Sequence, residues 1–80
     1  MKQVIIYSTP TCVYCKMAKE FFAKYNIPYT EHNVATDLQA RAEMFTKSHQ
    51  MGVPVIDVGG EIFVGFNRPG LVRALGVKEK

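Results

Sequence analysis

Cys12-Val13-Tyr14-Cys15 is the stretch of this chain whose residue types and spacing can do chemistry. A thiol attacks a disulfide or binds a metal only as thiolate, and the unpaired N–H groups and positive dipole end of a helix stabilise that anion. A thiol at such an end attacks, and a second thiol three residues on can displace the resulting mixed disulfide, releasing reduced product and leaving a disulfide between the pair. The spacing assigns Cys12 the attacking role and Cys15 the resolving one. Cys15, one turn deeper, is expected to be less exposed and less acidic. Lys16 and Lys19 favour the anion, and no acid occurs between Gln3 and Lys19.

The flanking elements must supply that helix end. Val4-Ile5-Ile6-Tyr7 is a short β-branched and aromatic run closed by Ser8-Thr9-Pro10-Thr11, a strand leading into a turn. Ala18, Phe21, Phe22 and Tyr25 then recur on one helix face between Lys16, Lys19, Glu20 and Lys24. The predicted first strand covers roughly Lys2 to Tyr7 and the predicted helix roughly Cys12 to Tyr25. The cysteines therefore fall at a strand-to-helix junction.

Three plainer readings of the pair carry less weight. A bridge across one helical turn closes too small a loop to act as a structural staple. Half of a zinc site would need two more ligands, and His32 and His49 lack the short spacing of a finger. Inert core cysteines would need no partner at this spacing.

With 80 residues, 48% apolar and 21% charged, the chain allows one small domain, residues 1–80, with a modest core. There are no repeats or low-complexity tracts. No segment has a signal-peptide pattern or transmembrane length, so a cytoplasmic protein away from membranes is expected, in a compartment where close thiols act rather than staple. The net charge of +3, from ten basic and seven acidic residues, is dispersed. Without basic clusters interleaved with aromatics, nucleic-acid binding is not expected. The excess reads as a solvated surface, or as a preference for anionic partners.

Further along, Asn26-Ile27-Pro28 stops the first helix. Tyr29 to Val34 reads as a second strand, parallel to the first through a right-handed crossover. Thr36-Asp37-Leu38-Gln39 reads as a capping box with Thr36 at the cap, and Leu38, Ala42, Phe45 and His49 then share the predicted apolar face of a second helix. His49, at its end, reads as a solvated or dipole-complementing residue. Gly52-Val53-Pro54-Val55-Ile56 opens a strand on a proline, which has no ladder donor. The plain reading is a strand start. Beside a redox pair, the sharper reading is a cis Val53-Pro54 bond that turns the backbone of Val53 toward the cysteines, where a substrate segment can pair with it. Val55 to Val58 and Glu61 to Val64 flank Gly59-Gly60 as an antiparallel hairpin. Asn67 can cap a short third helix with Leu71, Val72 and Leu75 inward, ended by Gly76. The predicted order is βαβαββα.

Tyr7 through Lys16 with its Cys-Val-Tyr-Cys site, Gly52-Val53-Pro54, and Gly65-Phe66-Asn67-Arg68-Pro69 resemble the glutaredoxin-like redoxins over essentially the whole chain. The resemblance implies an α/β thioredoxin-like fold, a four-stranded mixed sheet flanked by three helices. It gives Cys12 and Cys15 the catalytic roles, Tyr14 a flank of the substrate groove, and Val53 with Pro54 the backbone clamp. Gly65, Phe66, Asn67 and Arg68 take the place of the segment that holds glutathione. Three departures stand out: Val13 for the Pro between the cysteines of many glutaredoxins, Gly52 for Thr, and no second Gly and acid after Gly65. Asn67 and Arg68 can still bind a carboxylate. Gly-Phe-x-Arg-Pro also resembles the NrdH-type redoxins, which take electrons from thioredoxin reductase, although there Arg follows Phe directly.

The expected function is thiol–disulfide oxidoreduction for electron transport and redox homeostasis, acting on protein disulfides, glutathione mixed disulfides or both. Glutathione, thioredoxin reductase or both donate the electrons. No bound cofactor or metal is required, because the sulfurs carry the electrons, and a monomer is expected. Two other classes stay open. One is an iron–sulfur or soft-metal carrier ligated through thiolates; the other is a non-catalytic module that uses the Val53-Pro54 edge.

Overall fold

The computed structural model describes residues 3–78. Its elements are β1 (Val4–Ser8), α1 (Val13–Lys24), β2 (Thr30–Asn33), α2 (Leu38–Ser48), β3 (Val55–Val58), β4 (Glu61–Val64) and α3 (Arg68–Leu75), in the predicted order. Lys2, placed at the start of the first strand by the sequence, lies outside the described residues. The sheet runs β2-β1-β3-β4, with β2 parallel to β1 and the other pairings antiparallel. Asp57 tightens the Gly59-Gly60 turn by accepting from the Gly60 N–H at 2.7 Å.

Strand alternation divides the interior in two. Val4 and Ile6 of β1, Ile56 and Val58 of β3 and Phe63 of β4 face Ala18, Phe21 and Phe22 of α1 and Leu71 of α3. Tyr7 and Val55 face the other way, toward Ala40 and Met44 of α2. Strands β1 and β3 are thus covered on both sides.

Each helix end has a local cause. Asn26 takes a left-handed φ of 55°, and the amides of Asn26 and Ile27 donate to the carbonyls of Ala23 and Phe22 at 3.2 and 2.8 Å, a Schellman stop to α1. Asn67 caps α3 by accepting from the Gly70 N–H at 3.1 Å, and Gly76 ends it at φ 66°.

Two expectations for α2 are corrected. Its cap is Asp37, which accepts from the Ala40 N–H at 3.0 Å, while the Thr36 hydroxyl faces the carbonyl of Asn33. Asp37 wins because its carboxylate reaches the open amide from the residue that the helix actually starts on. Its apolar stripe also lies outward: Leu38 is 74% and Phe45 49% exposed, and Ala42 and His49 are exposed beside them.

The inward face of α2 instead carries a polar network. Lys47 donates to the Tyr7 hydroxyl at 2.7 Å and to Asp57 at 2.8 Å, and the Tyr7 hydroxyl donates to Glu43 at 3.3 Å. Burial works against the charge on Lys47, but its bonds to Asp57 and Tyr7 outweigh that, and its pKa is raised. His32 stacks on the Tyr7 ring, with ring centroids 5.4 Å apart. His49 takes a left-handed φ of 61° at the end of α2.

Candidate active site

The turn after β1 delivers Cys12 to the end of α1. The Cys12 amide donates to the Thr9 carbonyl at 3.3 Å, and its extended backbone makes it the N-cap. Its Sγ accepts from the Cys15 amide at 3.2 Å, so the sulfur fills the place usually taken by a capping oxygen. A negative charge there meets a backbone donor and the positive end of the helix together. On the other side, the Cys12 thiol points to the carbonyl of Val53 at 3.8 Å.

Cys15 is different in kind. It is 1% exposed. Burial, then a hydrogen bond with Cys12, pushes its thiol pKa up to about 12, while a backbone bond from Thr9 and the charge of Lys19 pull weakly the other way. At neutral pH it waits as a neutral thiol. Because the folded pKa lies above the ordinary 9.0, this contribution to stability is complete below pH 9 and is lost as pH climbs toward about 12. In reduced protein, the stability difference between the wild type and Cys15→Ala should shrink as pH rises from ~8 to ~10.5, because only the unfolded chain ionises this thiol in that window. Urea titrations at both pH values check this; a pH-independent difference would rule out burial of the thiol as the cause.

The predicted electrostatic role of Lys19 is modified. Its ammonium binds Glu31 of β2 at 2.8 Å, and Glu31 also accepts from the hydroxyl of the buried Ser8 at 2.7 Å. Those two bonds, first from Lys19 and then from Ser8, hold the Glu31 carboxyl below the usual range. The pairing of Ser8 with Glu31 has no sequence signal, since the two are 23 residues apart and neither residue type points to the other.

Val53 and Pro54 stand where the sharper reading put them. Their peptide bond is cis, and Gly65 joins them through a 2.8 Å bond from its amide to the Pro54 carbonyl. Gly65 has φ 81°, a conformation that a side chain would strain. Tyr14, 62% exposed, and Val13, 68% exposed, form the open first turn of α1. Cys12, Cys15, Val53, Pro54 and Gly65 therefore come together, with Tyr14 beside them.

Phe66 and Arg68 pack on α1. The Phe66 ring meets Phe21 edge-on at 5.9 Å, and the Arg68 guanidinium lies 5.2 Å over the same ring. With Met17, Glu20, Phe21 and Lys24 they line a groove of about 190 Å³. Phe21 is nine residues past Cys12, roughly 13 Å along the helix. Asn67 uses its side-chain oxygen to cap α3. Among the described residues no three His, Cys, Asp or Glu side chains converge as metal ligands, and no helix is long and apolar enough to cross a membrane.

A family model described as glutaredoxin matches residues 4–64. The chain belongs to the glutaredoxin family. A glutaredoxin-like 8.6 kDa protein encoded in a rubredoxin operon of Clostridium pasteurianum, described as uncharacterized, is 52% identical over 63 residues, covering 79% of this chain and 84% of that protein. A crystal structure of a variant of the thioredoxin-like protein BC3987 superposes with a TM-score of 0.90 at 29% identity, covering 98% of this chain and all of that one. A glutaredoxin from Archaeoglobus fulgidus gives 0.84 at 21% identity, over 94% of this chain and 87% of that one, and shows the fold alone. The four-stranded sheet with its three helices is thus the thioredoxin-like fold that the sequence implied. This glutaredoxin-family chain is a redox protein with a Cys-x-x-Cys pair, and its family is generally one of thiol–disulfide oxidoreductases.

Proposed function

We propose that the chain reduces disulfides of protein segments and glutathione mixed disulfides by a two-thiol mechanism. One observation carries the reading: Cys12 Sγ sits between the Cys15 amide at 3.2 Å and the Val53 carbonyl at 3.8 Å, at a capped helix end beside a buried second thiol. The Cys12 thiolate attacks one sulfur of the substrate; the Cys12–substrate bond forms, the substrate disulfide breaks, and the leaving thiolate takes up a proton. Cys15 then gives up its proton and attacks the Cys12 sulfur, releasing the second substrate thiol. The substrate gains two electrons and two protons, and the chain ends as the Cys12–Cys15 disulfide. No bound cofactor enters this balance. A reducing compartment such as the cytoplasm suits it.

The clamp at Val53 supports a peptide substrate, and exposed Val13, Tyr14 and Met51, in the segments that hold Cys12 and Val53, offer it apolar contact. The electron donor has two candidates. Asn67 and Arg68 are the groups proposed to hold glutathione, yet Asn67 caps α3 and Arg68 covers Phe21. That engagement favours thioredoxin reductase as a second reading. NADPH consumption with a small disulfide separates them. Turnover only with glutathione and glutathione reductase supports a glutaredoxin donor, and turnover only with thioredoxin reductase supports the NrdH-type donor. Silence with both would overturn the oxidoreductase reading.

A further inference from the structure

The segment that carries the Val53 clamp is held by a side chain outside any motif. Gln50 folds over Gly52 and binds both of its backbone groups: the Gly52 amide donates to Oε1 at 2.6 Å, and Nε2 donates to the Gly52 carbonyl at 3.1 Å. The same Nε2 lies 3.3 Å from the hydroxyl of Ser48, whose Oγ is 2.7 Å from the carbonyl of Met44 in the last turns of α2. Hydrogen bonds thus run unbroken from α2 to the residue before Val53. A Cβ built on Gly52 would stand 2.7 Å from Gln50 Oε1, so a side chain there must push the carboxamide off its present position.

We propose that Gln50 is a positioning residue for substrate recognition, with Gly52 glycine because Gln50 must lie on it. The inference rests on the reading of Val53 as a backbone clamp. A carboxamide that satisfies both groups of one peptide residue removes two degrees of freedom next to the clamp, and it fixes the Val53 carbonyl opposite Cys12 before a substrate arrives. It also occupies the backbone of Gly52. The ladder offered to a substrate on this side is then one residue wide, and specificity passes to the side chains around it.

The test compares the wild type, Gln50→Ala, Gly52→Ala and the double variant. Each protein is pre-reduced, freed of reductant and mixed with either a disulfide-bonded peptide or hydroxyethyl disulfide, which has no backbone to pair. This single-turnover design needs no electron donor. Losing the clasp should lower the ratio of peptide to small-disulfide rate constants about three- to tenfold, the worth of one or two hydrogen bonds. Gln50→Ala and Gly52→Ala should lower it equally, and the double variant no further, because both substitutions undo one contact. The Gly52 amide should exchange at least about tenfold faster in Gln50→Ala. Losses that add in the double variant, or a ratio that stays constant while Gly52 exchange accelerates, would overturn the inference. If the wild type itself is not oxidised by either disulfide, the two-thiol reading fails and takes the inference with it. Gly52 exchange still reports the clasp in that case, which tells the two failures apart.

Discussion

Cys12→Ser is expected to lower disulfide turnover at least about a thousandfold, the scale on which loss of a nucleophile removes covalent chemistry. The fold should survive, because serine is itself a preferred N-cap and its Oγ can take over the bond that Cys12 Sγ accepts from the Cys15 amide. A thermal midpoint near the wild-type value would confirm that chemistry alone was lost. Removing Cys15 should behave differently. Attack by Cys12 proceeds, the mixed disulfide has no resolving thiol, and the adduct accumulates. Mass spectrometry of Cys15→Ser after exposure to a peptide disulfide should show one peptide per chain, absent from Cys12→Ser. Serine places a more polar hydroxyl where the thiol was 1% exposed, although the bonds that Cys15 makes with Cys12 and Thr9 offset part of the cost of burying it. Cys15→Ala serves as the control, since it traps the same adduct without a buried hydroxyl. Equal and mild losses in both positions would defeat the assignment of roles.

The second large effect concerns stability. Lys47→Met should destabilise the chain by about 2–3 kcal/mol, less than the ~3–5 of a fully buried broken pair because the lysine side chain is 29% exposed. Among the described residues, Asp57, with a side chain 13% exposed, would keep only its bond from the Gly60 amide, and the Tyr7 hydroxyl would lose its lysine donor. The stranded carboxylate, rather than the missing attraction, is the source of the cost. Lys47→Met with Asp57→Asn should therefore recover much of it. Urea unfolding at neutral pH measures all three proteins. A single-variant loss below about 0.5 kcal/mol would mean that water reaches Asp57 freely enough to replace the lysine.

The same network explains where the sequence was readable and where it was not. Around the cysteines, local rules agreed with each other: a β-branched run, a proline-bearing turn, a thiol at a helix start and an Asn stop each fixed one step. The hairpin and the third-helix cap followed likewise, since Gly59-Gly60 and Asn67 act within a few residues, whereas the placing of β3 beside β1 is set by pairing across the chain. Helix α2 was read inside out. Leu38, Ala42 and Phe45 have the spacing of a buried face, but the interior there holds Ala40, Met44 and the stem of Lys47, whose partners Tyr7 and Asp57 come from two other strands. Apolar periodicity cannot weigh a half-buried cation that long-range partners satisfy. Asp37 and Thr36 are adjacent caps of similar propensity, and only the geometry of the Asn33 turn separates them. The hold of Gln50 on Gly52 left no trace in the sequence, since neither residue type announces the other.

The division of the interior has a dynamic consequence. The layer of α1 and α3 is built from Phe21, Phe22, Ile56, Phe63 and Leu71, whereas α2 buries fully only Ala40 and Met44. Large aromatic and branched side chains make the first layer expensive to open, and the second can part from the sheet at lower free energy. Amides of α2 should then exchange through a partial unfolding that leaves β1, β3 and α1 intact. Because α2 runs straight into the segment before Val53, each such excursion would carry the substrate edge with it. Recognition by this protein would accordingly fluctuate on the timescale of one helix, while its nucleophile stays fixed to the stable half.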